Sequence, residues 1–180
     1  MKSFLGVTLG PDAAARLRRP AEAALACLMA DGTTMERVDA TESGWVAFAG
    51  GDDQDALGGP DGSFTVPLGR LVRTRDADLA GADIAAMLRD GGAGLEQLLP
   101  PFAAAHRTAG NEPVIVATDW LGFRQLYWWR GTGVAAVSTS ARALSVLANK
   151  GLDPDGLGAQ AMIGWQVGDR TIFADSTYSL

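Results

Sequence analysis

Short apolar blocks separated by glycine, proline and aspartate dominate the chain. Residues 3–9 carry Phe4, Leu5, Val7 and Leu9 and read as a strand, ended by Gly10-Pro11-Asp12. Residues 12–30 are alanine-rich and helical in tendency, with an interruption at Pro20 and a helix restarting there, because proline is tolerated in a first turn. Residues 35–38, 45–49 and 64–72 are three further strands, the last rich in aliphatic and β-branched residues, and the glycine- and aspartate-rich stretch 50–62 is a loop. Residues 83–89 and 94–99 read as short helices, the second stopped by Pro100-Pro101. A strand starts at 102–106. The nearly continuous apolar run 114–118 predicts a buried strand, and 125–130 with 133–138 predicts a hairpin turning through Gly131-Thr132-Gly133. Residues 142–150 form an amphipathic helix stopped at Gly151, and 155–164 form one more helix.

Strands outnumber helices and do not alternate with them, which argues against a doubly wound parallel sheet. The pattern predicts an α+β chain of stacked antiparallel sheets flanked by helices. No internal repeat is evident, and 180 residues are the length of one domain with a sizeable core.

Composition narrows the functional classes. Hydrophobic residues make up 47% and charged residues 20%, which suits a globular chain rather than a disordered one. A net charge of −6 with no basic block argues against nucleic-acid or membrane-surface binding, both of which need clustered Lys and Arg. The N-terminus lacks a signal-peptide pattern and no apolar stretch is long enough for a membrane span, so a cytoplasmic location is expected. One cysteine and one histidine cannot supply a zinc ligand set, and Cys27, on an alanine- and leucine-rich helical stretch, reads as a packing residue.

Two stretches carry a family resemblance. Asp119-Trp-Leu-Gly122-Phe-Arg-Gln-Leu126-Tyr127 is similar to a "D-x-x-G-x-x-P-L-Y" signature, with Gln125 in place of the proline. Thr139-Ser-Ala-Arg-Ala143-Leu144 is similar to "S-E-x-K-A-L", with Ser140 in place of the glutamate. Leu98 to Ala103 resembles "L-x-G-x-F-A", and Gly164 with Asp169 to Phe173 resembles "T-x-F-x-G-I". In this order the matches resemble the class II glutamine amidotransferase domain of asparagine synthetase-like proteins. They cover the second half of the chain; before Gly69 the likeness is vague. The resemblance implies an αββα sandwich of the Ntn-hydrolase type spanning 1–180, with Gly69, Asp119, Gly122, Leu126, Tyr127, Ala143 and Leu144 as structural motif positions.

The family's chemistry is eroded in the same comparison. Its nucleophile is a cysteine exposed by methionine removal, with its own α-amino group as base. This chain begins Met1-Lys2-Ser3, and neither a thiol nor a hydroxyl stands at Lys2. Gly58 precedes Gly59-Pro60-Asp61 where the family's "R-G-P-D" has the arginine that clamps the substrate carboxylate. In the place of "N-G-E-I-Y-N" stands Gly69-Arg-Leu-Val-Arg73, with arginine for both the glutamate and the closing asparagine, and Asp83-Ile84-Ala85 stands for "D-T-E". The resemblance therefore implies a domain with no catalytic residue and no cofactor of its own. Lasso-peptide cyclases and β-lactam synthetases are relatives that need no ammonia: they adenylate a carboxylate with Mg-ATP and let an amine of the same substrate attack it. The alanine- and glycine-rich composition favours a high-GC bacterial source and the lasso cyclase among these. The nucleotide loop "S-G-G-x-D-S" is absent from the 180 residues, so the expected partners are a C-terminal synthetase domain and a precursor peptide. Two other readings stay open: a stand-alone peptide- or protein-interaction module, and a glutaminase with a displaced nucleophile.

Single residues are read against their plain structural roles. Asp119 is expected to cap the turn that follows it rather than to act as an acid. His106 is expected at the surface or a strand end. Trp120, Tyr127, Trp128 and Trp129 form an aromatic cluster expected to pack a core or an interface. Arg70 and Arg73 are expected to be solvated, and Asp52, Asp53, Asp55 and Asp61 do not follow calcium-loop spacing.

Overall fold

A computed structural model of the chain describes residues 3–10, 12–29, 35–41, 44–49, 57–58, 62–68, 81–108, 112, 114–164, 171–173 and 177–178. In chain order the elements are β1 (Ser3–Leu9), α1 (Ala14–Ala26), β2 (Met35–Thr41), β3 (Gly44–Ala49), β4 (Leu57–Gly58), β5 (Phe64–Pro67), α2 (Gly81–Arg89), β6 (Ala103–Arg107), β7 (Ile115–Thr118), β8 (Tyr127–Gly131), β9 (Val134–Ser138), α3 (Ala141–Leu147), α4 (Pro154–Ile163) and β10 (Thr177–Tyr178). A single 3-10 turn covers Leu95–Gln97. The chain is α+β and its sheets are antiparallel. It divides into two compact units: one discontinuous, from Ser3–Ala49 and Gln125–Leu180, and one from Gly50–Arg124 with Met1–Lys2.

The discontinuous unit holds a six-stranded sheet in the order β10-β8-β9-β1-β3-β2. β1 lies inside it, with Leu5 opposite Ala47 of β3 and Ser138 of β9. The period of two sends Leu5, Val7, Ala47, Val134 and Ala136 to one face, where α1 and α3 cover them with Leu17, Ala24, Leu28, Leu144 and Leu147. Phe4, Val46 and Phe48 project from the opposite face and are buried as well. Along α1 and its two flanks, Ala13, Leu17, Ala24 and Leu28 recur at helical spacing, and that stripe is the buried one.

Proline does not divide this helix. α1 runs unbroken from Ala14 through Pro20 to Ala26, so the expected restart at Pro20 is corrected. Pro20 has no N–H to give the Arg16 carbonyl, and an interior proline costs about 3 kcal/mol. Burial of the stripe on both sides of Pro20 outweighs that local cost. α3 is also shorter than expected: it ends at Leu147, and Asn149, with φ 54°, turns the chain before Gly151 is reached. The buried Ser145 hydroxyl faces the Lys150 and Gly151 carbonyls at 3.0 and 3.1 Å and folds the chain back over the last turn. α4 starts at an Asp153 cap, with Pro154 in the first turn, and buries none of its residues.

The inserted unit holds a four-stranded sheet in the order β4-β5-β6-β7. Ile84, Met87 and Leu88 of α2 pack with Leu98, Phe102 and Ala104 into its core. β6 is buried at every residue. Among the described strands β7 lies at an edge, and it is only partly covered, with Ile115 37% exposed, which corrects the expectation of a buried strand at 114–118. A run of apolar residues shows that a strand is wanted; which strand ends up at the edge is decided by pairing. Residues 94–99 yield only the 3-10 turn instead of a helix. The segment 64–72 is a strand at Phe64–Pro67, and 69–72 lies outside the described residues.

Candidate functional site

Asp119 leaves the end of β7 and organises everything up to β8. It is buried, and its two carboxylate oxygens accept four backbone N–H groups: Leu121 and Phe123 on Oδ1, each at 3.1 Å, Arg124 on Oδ2 at 3.1 Å and Phe102 on Oδ2 at 3.3 Å. Its own N–H donates to the Phe102 carbonyl, and the Gly122 N–H donates to the Asp119 carbonyl. Thr118 closes the loop from the other side, its hydroxyl donating to the Arg124 carbonyl at 2.6 Å. Gly122 has φ 67°, a left-handed conformation that a side chain disfavours, and a Cβ there would meet nothing within 4 Å. The glycine of the motif is needed for its backbone. With all four acceptor sites taken by the backbone, the carboxylate is a turn-former and holds no reacting group.

This ordered turn presents apolar side chains. Trp120 is 76% exposed, Phe123 66% and Leu121 46%. Of the aromatic residues expected to cluster, the three on β8 are separated by strand alternation. Tyr127 and Trp129 point towards the α1–α3 core, Trp128 points from the other face of β8 and is 44% exposed, and Trp120 belongs to the turn. Leu126 is fully buried. Gln125, which replaces the motif proline, accepts a hydrogen bond from the Tyr127 hydroxyl at 2.8 Å.

The second motif lies beside the start of β1. The Thr139 hydroxyl oxygen accepts the Phe4 N–H at 2.9 Å, and the buried Ser138 hydroxyl donates to the Phe4 carbonyl at 2.7 Å while accepting the Ser140 N–H at 3.0 Å. Ser140, the residue compared above with a glutamate, is the N-cap of α3 and accepts the Ala143 N–H at 3.2 Å. Ala143 and Leu144 are fully buried against the sheet.

His106 does not lie at the surface. It is buried on β6, 1% exposed, and its Nδ1 is 2.9 Å from the hydroxyl of the equally buried Thr65, directly opposite on β5. Sequence reading misses this pair because the two residues are 41 positions apart and only the register of β5 on β6 brings them together. A hydroxyl beside an imidazole is the chemistry of a nucleophile and its base. Here burial of both partners leaves a substrate no approach, so the pair cross-links two strands. Cys27, the single thiol, is half-buried at the C-cap of α1 and packs on the α1–α3 core. Among the described residues no group of His, Cys, Asp and Glu could hold a metal ion. No helix among them is long and apolar enough to cross a membrane. Thr171 caps the return of the chain near α4, its hydroxyl donating to the Phe173 carbonyl and accepting the Phe173 N–H. Gly69, Arg70, Arg73, Gly59-Pro60-Asp61 and the aspartates at 52, 53 and 55 lie outside the described residues.

No known family model matches the chain, and no curated protein matches it.

Proposed function

We propose that this chain is a glutamine-amidotransferase-like domain, an αββα sandwich of the Ntn-hydrolase type, that lacks glutaminase activity and serves as the scaffold of an ATP-dependent amide-forming ligase. The observation that carries this reading is the Asp119 turn. Its carboxylate is wholly engaged by backbone N–H groups, and its exposed residues are Trp120, Leu121 and Phe123. That is a built surface for packing, with nothing on it to attack a carbonyl. The only thiol, Cys27, sits at the C-terminal end of α1 and packs on the core, and Lys2 stands where the family keeps its nucleophile. Two antiparallel sheets with β1 inside the larger one also suit the fold.

In the ligase, Mg-ATP would be bound and a side-chain carboxylate adenylated in the synthetase domain, and an amine of the same precursor peptide would close a macrolactam. The present domain would shape the entrance and hold the synthetase domain, in the manner of a lasso peptide cyclase; a β-lactam-synthetase-like parent would use it in the same way.

Two measurements test the reading. The purified chain, incubated with glutamine, is expected to release no glutamate above buffer, and enzymatic release would sink the loss of glutaminase chemistry. The reading frame that follows the Leu180 codon is expected to encode an "S-G-G-x-D-S" loop; a frame without one removes the ligase and leaves an interaction module.

A further inference from the structure

A cavity of about 360 Å³ opens within the discontinuous unit, between α1, the β8–β9 turn and the C-terminal end of α3. Its floor is the buried pair Leu17 and Leu147, one from each helix. Pro20 and the indole of Trp129 form its walls, and Arg16, Thr132 and Asn149 form a polar rim. None of the lining residues is acidic, although the chain as a whole carries a net charge of −6.

Two features show how this space is built. The Arg16 guanidinium donates to the Thr132 carbonyl, which ties the side chain across the mouth and leaves further N–H donors for a ligand. The Trp129 ring lies over Gly131: a Cβ at Gly131 would stand 2.6 and 2.9 Å from two ring carbons. Glycine is needed at 131 for the space it leaves, which lets the indole lie along the hairpin and form a flat wall. The mixture of an apolar floor, an aromatic wall and a few placed polar groups is that of a small-molecule site, and the volume is at the low end of such sites.

We propose that this cavity binds a small aromatic monocarboxylate, of one ring and a short arm, with the ring on Trp129 over Leu17 and Leu147 and the carboxylate on Arg16. The charge pattern sets the orientation. The α3 C-terminus at Asn149 carries partial negative charge and repels an anion, so the carboxylate lies at the α1 side of the mouth, where Arg16 is the only charged lining group. The volume suits a single ring with a short arm.

The test compares 3-phenylpropanoate with its neutral isostere 3-phenylpropanamide by titration calorimetry on the 180-residue chain, with ligand-observed NMR as a second readout. The acid is expected to bind about tenfold more tightly than the amide, the effect of one charge-assisted contact. Arg16→Gln, at an exposed position and with circular dichroism reporting that the fold is kept, is expected to bring the two ligands to the same affinity. Gly131→Ala is expected to weaken both by displacing Trp129, with circular dichroism reporting that the fold is kept. Equal binding of acid and amide to the wild-type chain overturns the proposal. So does absence of saturable binding, or an Arg16→Gln chain that still prefers the acid.

Discussion

Asp119 shows how one side chain can replace a length of regular structure. Between Thr118 and Tyr127 the chain has no ladder to satisfy its N–H groups, and a buried donor without a partner costs about 1–3 kcal/mol. The carboxylate takes four of them. Asp119→Ala is expected to lower unfolding free energy by about 3 kcal/mol or more in urea titrations, since hydrogen bonds to a charged acceptor are individually strong. Asp119→Asn keeps one acceptor oxygen and hence at most two of the four contacts, so its loss should fall near half of that. An alanine variant within about 0.5 kcal/mol of wild type, the scatter of ordinary surface changes, would remove the carboxylate from its structural role.

At the scale of elements, α1 is held by its neighbours more than by its own sequence. Three arginines and a proline lie within it, and its exposed Arg18–Glu22 pair at 3.9 Å adds little. What holds it is the stripe of Leu17, Ala24 and Leu28 on the sheet. Pro20 is half-buried at the cavity wall and has no N–H to donate within the helix. Pro20→Ala restores a donor to the Arg16 carbonyl, and the gain is reduced by the greater freedom of the unfolded chain. The net expectation is a stabilisation of about 1–2 kcal/mol, read as a higher denaturation midpoint with an unchanged urea slope. A lower midpoint would mean that the ring's packing matters more than the missing hydrogen bond.

At the scale of the molecule, the discontinuous unit is assembled from the two ends of the chain. Phe4 and Thr139, hydrogen-bonded to each other, are 135 positions apart, and β1 cannot be paired on both edges until β9 has arrived. Pairing of this kind requires closing a long loop before any contact rewards it. Refolding by stopped-flow fluorescence is therefore expected on the millisecond-to-second scale typical of β-rich topologies. Completion in microseconds would mean that the β1–β9 pairing is not needed to form the fluorescent core.

Local chemistry made some of this structure legible in the sequence. The first strand, the 125–138 hairpin with its glycine turn, and the last helix between Asp153 and Gly164 are written in alternation, turn residues and caps, all of which act over a few positions. Asp119 as a turn-former belongs with them, because its partners are within five residues, Phe102 excepted. Other features depended on which distant strand came to lie alongside. His106 and Thr65 meet through sheet register. Among the described residues β7 pairs with β6 alone, which leaves it at an edge. Trp128 and Trp129, adjacent in sequence, were sent to opposite faces by the pleat. Pro20 stayed inside a helix because the sheet beneath it rewarded the stripe on both sides. The cavity by Trp129 arose from two helices and a hairpin that share no sequence signal. The sequence alone determined α+β character and the turn positions; the tertiary structure decided which polar residues were buried and where a ligand-sized space was left, because burial is a property of neighbours that the chain supplies from far away.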